Sequence, residues 1–565
     1  MSKARSLADL ISGGAVIEAS EIADSTITGA KLASDITITT TSNLTFGANG
    51  HILGSNGDQI KIGKNALSLN NQGVGNIALG FEAMKANVSG CYNTAVGHQA
   101  LTANVSDAGS YNTAHGYQAL YNNTTGEKNT AIGYQSMFAN TTGEYNAAIG
   151  TDSLRANTTG EQNVALGHNS LYNNTFGNGQ VAAGYKSLFN NTTGNYNVGL
   201  GAYNLECNTV GSCNVGIGYQ SLNKNTTASF NVAVGYQALC TNTIGEKNVA
   251  IGVEAGKAIV DKCYNVFLGT YAGRFGNSHD KSVVIGFEAN GYGGGDSNVV
   301  IGCRAGFNNS GDRNIFMGSN ANGAFTSTTG NNNIGLGTSA LYYLTSGVNN
   351  VSFGMNSLYE NTTGDYNVGI GNSSLKCNTI GRFNNAVGNS ALSNNTTGCY
   401  NVAVGHDALN SNTTGQYNVA LGYHTLKCNT TASSNVAIGY QSLCRNTTGK
   451  CNVAIGHCSM TFTTTGSYNT GLGRQALRLN TIGCNNVAIG NSALAVNTTG
   501  NFNTAVGSSA MGLNTIGQRN TGVGVYALYK NTTGTDNVSV GLCAMCNNTI
   551  GSYNLAVGRK AMHLN

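Results

Sequence analysis

A glycine that closes an Asn-Val-Ala-Ile-Gly-like segment recurs thirty times between Gly63 and Gly558, and 25 of the 29 intervals are 17 residues long. Two of the other intervals are 19 residues and two are 16 residues. Repeats built from a pair of helices need about 33 residues or more, so this period excludes them. The repeat predicts one small unit that is stable only when it is stacked on its neighbours.

Each repeat is numbered here from this glycine, which is position 0. Positions −3 and −1 are mostly apolar, as in Val164 and Leu166, whereas position −2 is usually Ala or Gly, as in Ala165. Position +4 is Leu or Met in 25 repeats, and position −4 is almost always Asn. Because alternate residues of a strand face the same way, we predict a short strand that buries positions −3, −1 and +4. Position −2 is then predicted to lie outside the coil.

The predicted fold is all-β: a parallel β-solenoid (β-roll) of about 30 coils with a 17-residue repeat, for which the family resemblance described below implies a homotrimeric rod. The absence of Pro from 565 residues favours an uninterrupted ladder, because Pro has no N–H to donate. The Asn column at position −4 predicts a ladder of stacked amides. The row of small residues at position −2 is predicted to be the subunit interface.

The repeat divides the chain into four segments. Residues 1–43 precede it and are predicted to be an N-terminal attachment segment. Residues 44–251 and 323–565 are predicted to be shaft with regular coils. Residues 252–322 are predicted to form variant coils, because position +4 loses its Leu there while position −2 becomes large. These large residues are Phe267, Val284, Val300 and Phe316.

The variant coils lose volume at one position and gain it at another, which favours compensation rather than decay of the repeat. We expect the core of these coils to shift toward the axis of the trimer. Phe267 and Phe316 are then expected to be buried between chains.

The repeat resembles two known families. With Ala-Leu after its Asn-Val-Ala-Ile-Gly segment, it is similar to the head repeats of trimeric bacterial adhesins, which fold as a left-handed parallel β-roll trimer. It is more similar to the Asn-Thr-Thr-Gly-x-x-Asn-Val-Ala-Ile-Gly-Tyr-Gln-Ala-Leu arrays of tail-fibre-like proteins from marine and cyanobacterial phages. Ile27-Thr28-Gly29-Ala30-Lys31-Leu32 also resembles an element that recurs in phage fibres.

The second resemblance spans roughly residues 20–565 and implies a virion fibre, either a tail fibre or another appendage. Such a fibre serves host attachment without catalysis and needs no cofactor. The implied partners are two further copies of the chain, other virion proteins bound through the N-terminal segment, and a glycan of the host surface. The implied localisation is the virion, after synthesis in the host cytoplasm.

Charge and hydropathy exclude other partners. The net charge is +4, only 9% of residues are charged, and no Lys/Arg cluster occurs, so nucleic-acid binding is not expected. No apolar stretch approaches 18 residues and no secretory signal is recognised, so a membrane anchor is not expected. The same absences count against a bacterial surface adhesin, which is the main alternative.

Two further alternatives come from other classes of protein. A polysaccharide-degrading enzyme would need a pair of carboxylates in a cleft, whereas acidic residues here are few and lie in turns. The Thr columns of the Asn-Thr-Thr turns suggest an ice-binding solenoid.

Two groups of side chains are candidate sites. Tyr423, Tyr440 and His457 follow the repeat glycine at position +1 of successive repeats, and stacked rings there would contact a host glycan or simply pack along a ladder.

The second group lies in the variant coils. Asp280, Asp296 and Asp312 share position −6, and carboxylates one coil apart would hold Ca²⁺ or lie in a solvated turn.

Overall fold

The computed structural model describes residues 59–70, 72–105 and 108–562. All of them belong to the second of two compact units, Ser55–Asn565. The predicted attachment segment, residues 1–43, lies outside the described residues.

The described chain is a parallel β-solenoid with one coil per repeat, as predicted. Thirty strands of three residues occupy positions −3 to −1, each pairs in parallel with the next strand along the chain, and no helix occurs in residues 59–562 as described. The 29 pairings between consecutive strands make 29 full turns. At about 4.8 Å per strand, the solenoid is about 140 Å long.

The strands are β1 (Ile60–Ile62), β2 (Ile77–Leu79), β3 (Thr94–Val96), β4 (Thr113–His115), β5 (Thr130–Ile132), β6 (Ala147–Ile149), β7 (Val164–Leu166), β8 (Val181–Ala183), β9 (Val198–Leu200), β10 (Val215–Ile217), β11 (Val232–Val234), β12 (Val249–Ile251), β13 (Val266–Leu268), β14 (Val283–Ile285), β15 (Val299–Ile301), β16 (Ile315–Met317), β17 (Ile334–Leu336), β18 (Val351–Phe353), β19 (Val368–Ile370), β20 (Asn385–Val387), β21 (Val402–Val404), β22 (Val419–Leu421), β23 (Val436–Ile438), β24 (Val453–Ile455), β25 (Thr470–Leu472), β26 (Val487–Ile489), β27 (Thr504–Val506), β28 (Thr521–Val523), β29 (Val538–Val540) and β30 (Leu555–Val557).

The core of each coil is a single layer of side chains. The strand face that points into it is the one that we predicted to lie outside. In β7, Ala165 at position −2 is fully buried, Val164 is half-buried and Leu166 is 41% exposed. The prediction that positions −3 and −1 fill the core was therefore wrong, and so was the placement of position −2 outside. The burial of position +4 is confirmed, because Leu171 is fully buried.

The thinness of the coil explains this orientation. At Gly199, a position −2 without a side chain, an added Cβ would lie 3.4 Å from Leu188 Cδ1 and 2.6 Å from Ser187 Oγ. The leucine of position +4 thus already reaches the inner face of the strand. Only a small residue fits opposite it, so the larger residues at positions −3 and −1 must point outward.

Two ladders of buried Asn side chains run along the solenoid. At position −4, the backbone N–H of Asn163 donates to Oδ1 of Asn146 in the preceding coil at 2.9 Å, which confirms the predicted ladder. A second ladder, which was not predicted, lies at position +7, where Asn157 Nδ2 donates to Asn140 Oδ1 at 2.7 Å and to Gly160 O at 2.9 Å. A buried amide without partners would cost about 1–3 kcal/mol, so these ladders fix the register of the stack.

The turn after each strand uses left-handed backbone at regular positions. Positions +2 and +4 have positive φ, with 52° at Asp152 and 50° at Leu154. Left-handed backbone costs a non-glycine residue roughly 1–2 kcal/mol. This cost is offset by hydrogen bonds between coils. Leu154 N, for example, donates to Ser170 O of the following coil at 2.8 Å.

Position 0 requires Gly for a different reason. Gly150 has a φ of 138°, and a Cβ there would lie 2.5 Å from the carbonyl oxygen of Gly167 in the next coil. The glycine column therefore permits neighbouring coils to approach to the strand spacing.

The variant coils exchange volume within one chain. Phe267 at position −2 is fully buried, and it occupies the space that two leucines would take. A Cβ at Gly256 would lie 2.7 Å from Phe267 Cδ2, and a Cβ at Gly273 would overlap the same ring. The predicted compensation is thus a direct contact. The expected burial of Phe267 and Phe316 between chains was wrong, because both are fully buried inside their own chain.

This exchange can be reversed by mutation. We expect Phe267→Ala alone to leave a cavity and cost about 3–5 kcal/mol, and Gly273→Leu alone to overpack the coil. The triple variant Phe267→Ala, Gly256→Leu, Gly273→Leu restores the ordinary pattern and should recover most of the lost stability. Urea unfolding, with hydrogen exchange of residues 252–285 as the local measure, would check this. A triple variant no more stable than Phe267→Ala would contradict the exchange.

Candidate functional site

The outward face of the strands is a long, mostly apolar surface with a few Thr, Asn and His side chains. We call positions −3 and −1 of all thirty strands the outer face. With two such positions per strand, it comprises sixty positions, and none of them is Asp, Glu, Lys or Arg. Its side chains are partly exposed in the single chain, reaching 55% for Phe353 in the shaft and 68% for Leu555 in the last coil. Contiguous apolar surface of this extent marks an interaction site.

The candidate glycan-contact residues lie together in one stack, with a fourth ring added by the fold. His406 stacks on Tyr423 with centroids 5.4 Å apart, Tyr423 on Tyr440 at 5.5 Å, and Tyr440 on His457 at 5.1 Å. Both faces of each Tyr ring are therefore occupied by a neighbouring ring. A sugar ring would have to contact their edges and hydroxyl groups instead of their faces, so glycan contact here stays a prediction.

A second aromatic stack was not recognised from the sequence. At position −5, Tyr366, Phe383, Tyr400 and Tyr417 lie nearly parallel, with centroids 4.9, 5.1 and 5.1 Å apart. The signal was available, because the four residues share one position of the repeat. Spacings of this size are favourable for stacked rings, and they follow directly from the strand spacing.

The three aspartates of position −6 lie in register, and each is engaged by the backbone. Asp280 N donates to Asp296 Oδ1 at 3.0 Å, and Asp296 N donates to Asp312 Oδ1 at 2.9 Å. The same bond occurs in an ordinary coil, where Glu161 N donates to Asn178 Oδ1 at 2.7 Å. An amide oxygen accepts this bond there as well as a carboxylate oxygen does, so the bond explains the polar residues of position −6 without Ca²⁺. The calcium site stays a prediction.

Charged side chains at positions +2 and +5 are neighbours within a coil and between coils. Lys85 Nζ lies 2.8 Å from Glu82 Oε1, and Arg155 Nε lies 3.2 Å from Asp152 Oδ1. Hydrogen bonds from Lys85 and Gln99 lower the pKa of Glu82. In each pair the cation is more exposed than the carboxylate, and solvent screens the attraction between them.

The densest group at these positions surrounds Asp407 at position +2. Its Oδ2 lies 3.5 Å from His406 Nδ1, 3.3 Å from His424 Nε2 and 2.9 Å from Lys427 Nζ. Burial and the charge of Lys427 lower the pKa of His424, against the opposing effect of Asp407. Sequence analysis did not recognise this group.

Disulfide bonding in the described chain is confined to one pair of cysteines. Cys543 and Cys546, at positions +2 and +5 of one coil, form a disulfide. The other thirteen cysteines are free. Burial, together with the nearby Cys428, raises the pKa of Cys444 to about 11, so its thiol is a weak nucleophile at neutral pH.

The variant coils carry a shallow recess and a buried histidine. The recess, of about 10 Å³, is lined by Tyr271, Arg274, Phe275, Glu288, Gly291 and Tyr292. Ordinary ligand sites measure roughly 300–1,000 Å³. Beneath this surface, His279 is fully buried, and its ring packs edge-on against Phe267 with centroids 5.4 Å apart.

His279 takes the place of an Asn in the ladder at position +7. That position is Gly276 in this coil, and an added Cβ there would overlap the ring of His279. Desolvation lowers the pKa of His279 to about 4, against a small opposing effect of the Gly295 backbone. The ring is therefore neutral at physiological pH.

The low pKa of His279 gives a pH dependence with a definite sign. Between pH 6.5 and about 4 the unfolded chain binds a proton that the folded chain excludes, so the free energy of unfolding falls as the pH falls. The shift corresponds to roughly 3 kcal/mol. We expect His279→Gln to flatten the decrease in local stability of residues 252–322, measured by hydrogen exchange at pH 7 and pH 4.5. Equal decreases in both proteins would contradict the assignment.

No protein-family model and no curated protein matches this chain. Among the described residues, no helix has the length and apolarity needed to span a membrane.

Proposed function

We propose that this protein is the structural subunit of a homotrimeric virion fibre that serves host attachment and has no catalytic role. The observation that carries the proposal is the outer face, with sixty positions and no charged side chain. A single chain leaves this face in contact with water. Removing its apolar side chains from water stabilises an assembly by roughly 25 cal/mol per Å² of apolar surface buried.

The size of the outer face supports assembly. A strip about 140 Å long and three residues wide, at about 3.3 Å per residue, covers roughly 1,400 Å². Stable interfaces bury about 800 Å² on each partner. A second copy of the chain is the partner that fits, because it repeats the same side chains at the same spacing along the whole strip. Threefold symmetry is supported by the resemblance to trimeric adhesin heads.

This proposal replaces the earlier placement of the subunit interface at position −2. The row that includes Ala131, Ala148, Ala165 and Ala182 is buried inside the coil, so another chain cannot reach it. The charged residues of the described chain lie almost entirely in turns, away from the outer face. They keep the assembled rod hydrated on its other sides.

The attachment role rests on the resemblance of the repeat and of residues 27–32 to phage fibres. The attachment segment, residues 1–43, would bind other virion proteins, and the exposed ring edges of the aromatic stacks are available for host glycan. A bacterial surface adhesin would use the same trimeric rod. Labelling of purified virions with an antibody against the solenoid separates these two functions.

The ice-binding alternative has one supporting observation. Position +9 is exposed and carries Thr in many coils, as at Thr142, Thr159 and Thr193. The column is interrupted by Phe176 and Val210. The adjacent Thr column at position +8 donates its hydroxyls to the next coil, as Thr141 Oγ1 does to Thr158 O at 3.0 Å. Only one interrupted Thr column faces water, so we favour the fibre.

Assembly through the outer face is testable by charge insertion. We expect the wild-type protein to have three times the mass of one chain, and Ile149→Lys with Leu166→Lys to shift it toward monomer, because charges would be buried without partners. Sedimentation velocity at micromolar concentration measures this shift.

The control variant, Thr142→Lys with Thr159→Lys, adds the same charge to the same two repeats at exposed turn positions and should stay trimeric. Circular dichroism of both variants verifies the fold. A monomeric wild type, or equal dissociation of both variants, would overturn the proposal.

A further inference from the structure

The group around Asp407 has the composition of a transition-metal site. His406 and Asp407 occupy positions +1 and +2 of one coil, and His424 occupies position +2 of the next. One donor atom from each of the three side chains lies within 4.8 Å of the other two. Two imidazole nitrogens and one carboxylate oxygen form a set that suits Zn²⁺ and its neighbours better than Ca²⁺ or Mg²⁺.

The two donor distances that involve Asp407 match tetrahedral coordination. With metal–ligand bonds of about 2.1 Å, two ligands of a tetrahedral ion lie roughly 3.4 Å apart. His406 Nδ1 and Asp407 Oδ2 are 3.5 Å apart, and His424 Nε2 and Asp407 Oδ2 are 3.3 Å apart. An ion placed among these atoms would require Lys427 to leave the carboxylate of Asp407.

The backbone holds these ligands in place before any ion binds. Asp407 N donates to Asn389 O at 3.0 Å, and His424 N donates to His406 O at 3.0 Å. The ring of Tyr423 packs on the ring of His424 with centroids 3.8 Å apart. Ligands on rigid elements that are supported by neighbouring contacts make the most accurate sites.

Burial leaves one side of the group open. The side chains of Asp407 and His424 are 15% and 19% exposed, whereas that of His406 is 49% exposed. Water therefore has access to the fourth coordination position. Lys427 Nζ, at 2.9 Å from the same carboxylate oxygen, occupies part of this space and opposes a cation by charge repulsion.

We propose that His406, Asp407 and His424 bind a divalent transition-metal ion, with Zn²⁺ as the best-suited ion and water as the fourth ligand. The ion would displace Lys427 from Asp407 and would link two consecutive coils. Sites of this kind, with three protein ligands and one open position, differ from closed structural zinc sites. The inference does not depend on the proposed function of the protein.

Calorimetric titration with Zn²⁺ tests the site, on full-length protein whose thiols have been blocked with iodoacetamide. We expect one site per chain, with affinity reduced at least tenfold by His424→Ala and by Asp407→Asn. His168→Ala is the matched control, since His168 also lies at position +1, stacks on Tyr185 at 5.5 Å and has Asn169 in place of the carboxylate. It should bind Zn²⁺ as the wild type does.

Lys427 provides a test of opposite sign. Lys427→Gln removes a competing cation and should strengthen Zn²⁺ binding several-fold, whereas a purely structural role for the group predicts no gain. Binding should also weaken at acidic pH, because an imidazole must be neutral to bind the metal. Absence of Zn²⁺ binding, or equal affinity in wild type, His424→Ala and Lys427→Gln, would overturn the inference.

Discussion

The close axial spacing of the coils is the constraint on which the rest of the structure depends. Each coil donates backbone hydrogen bonds to both neighbours, on the strand and on the turn, and this requires a separation of about 4.8 Å everywhere. The glycine of position 0 is needed because any side chain there would meet the carbonyl group of the next coil, as at Gly150. The Asn ladders are needed because the coil interior leaves no water to satisfy buried amides. Aromatic stacking at positions +1 and −5 is then a consequence of the same spacing.

The fold could be predicted from the sequence, whereas the strand face that points into the core could not, for one physical reason. A 17-residue period, short apolar segments and the absence of Pro favour one coil per repeat, and the strand pairing agrees with this. Alternation shows that Val164 and Leu166 share a face, but it does not tell which face is inward. The answer depends on the space left by Leu171 and its equivalents, which is a property of the closed coil. Large residues at two columns and small residues at one suggested the larger pair as core, whereas the thin coil admits only the small column.

Among the candidate sites, contacts between equivalent positions of successive repeats could be predicted from the sequence, whereas the approach of Lys427 to Asp407 could not. Tyr423, Tyr440 and His457 share a repeat position, so their stacking could be read from the period alone. His424 and Asp407 share position +2 in consecutive coils, and their contact with His406 was equally accessible to that logic. The contact of Lys427 at position +5 could not be predicted in this way, because its approach to Asp407 depends on the left-handed turn that brings positions +2 and +5 together between coils.

The unbroken register has a consequence for how such a chain can evolve. Deleting or duplicating one unit in the regular shaft joins coils that already fit each other, so both faces and both amide ladders continue across the junction. Recombination between near-identical gene segments would therefore change the length of the rod in steps of one coil, without any new packing problem to solve. The coils from 252 to 322 would resist such changes, because Phe267 fits a particular pair of glycines in adjacent coils. Length in the shaft is thus a freely adjustable trait, whereas the variant coils are inherited as a block.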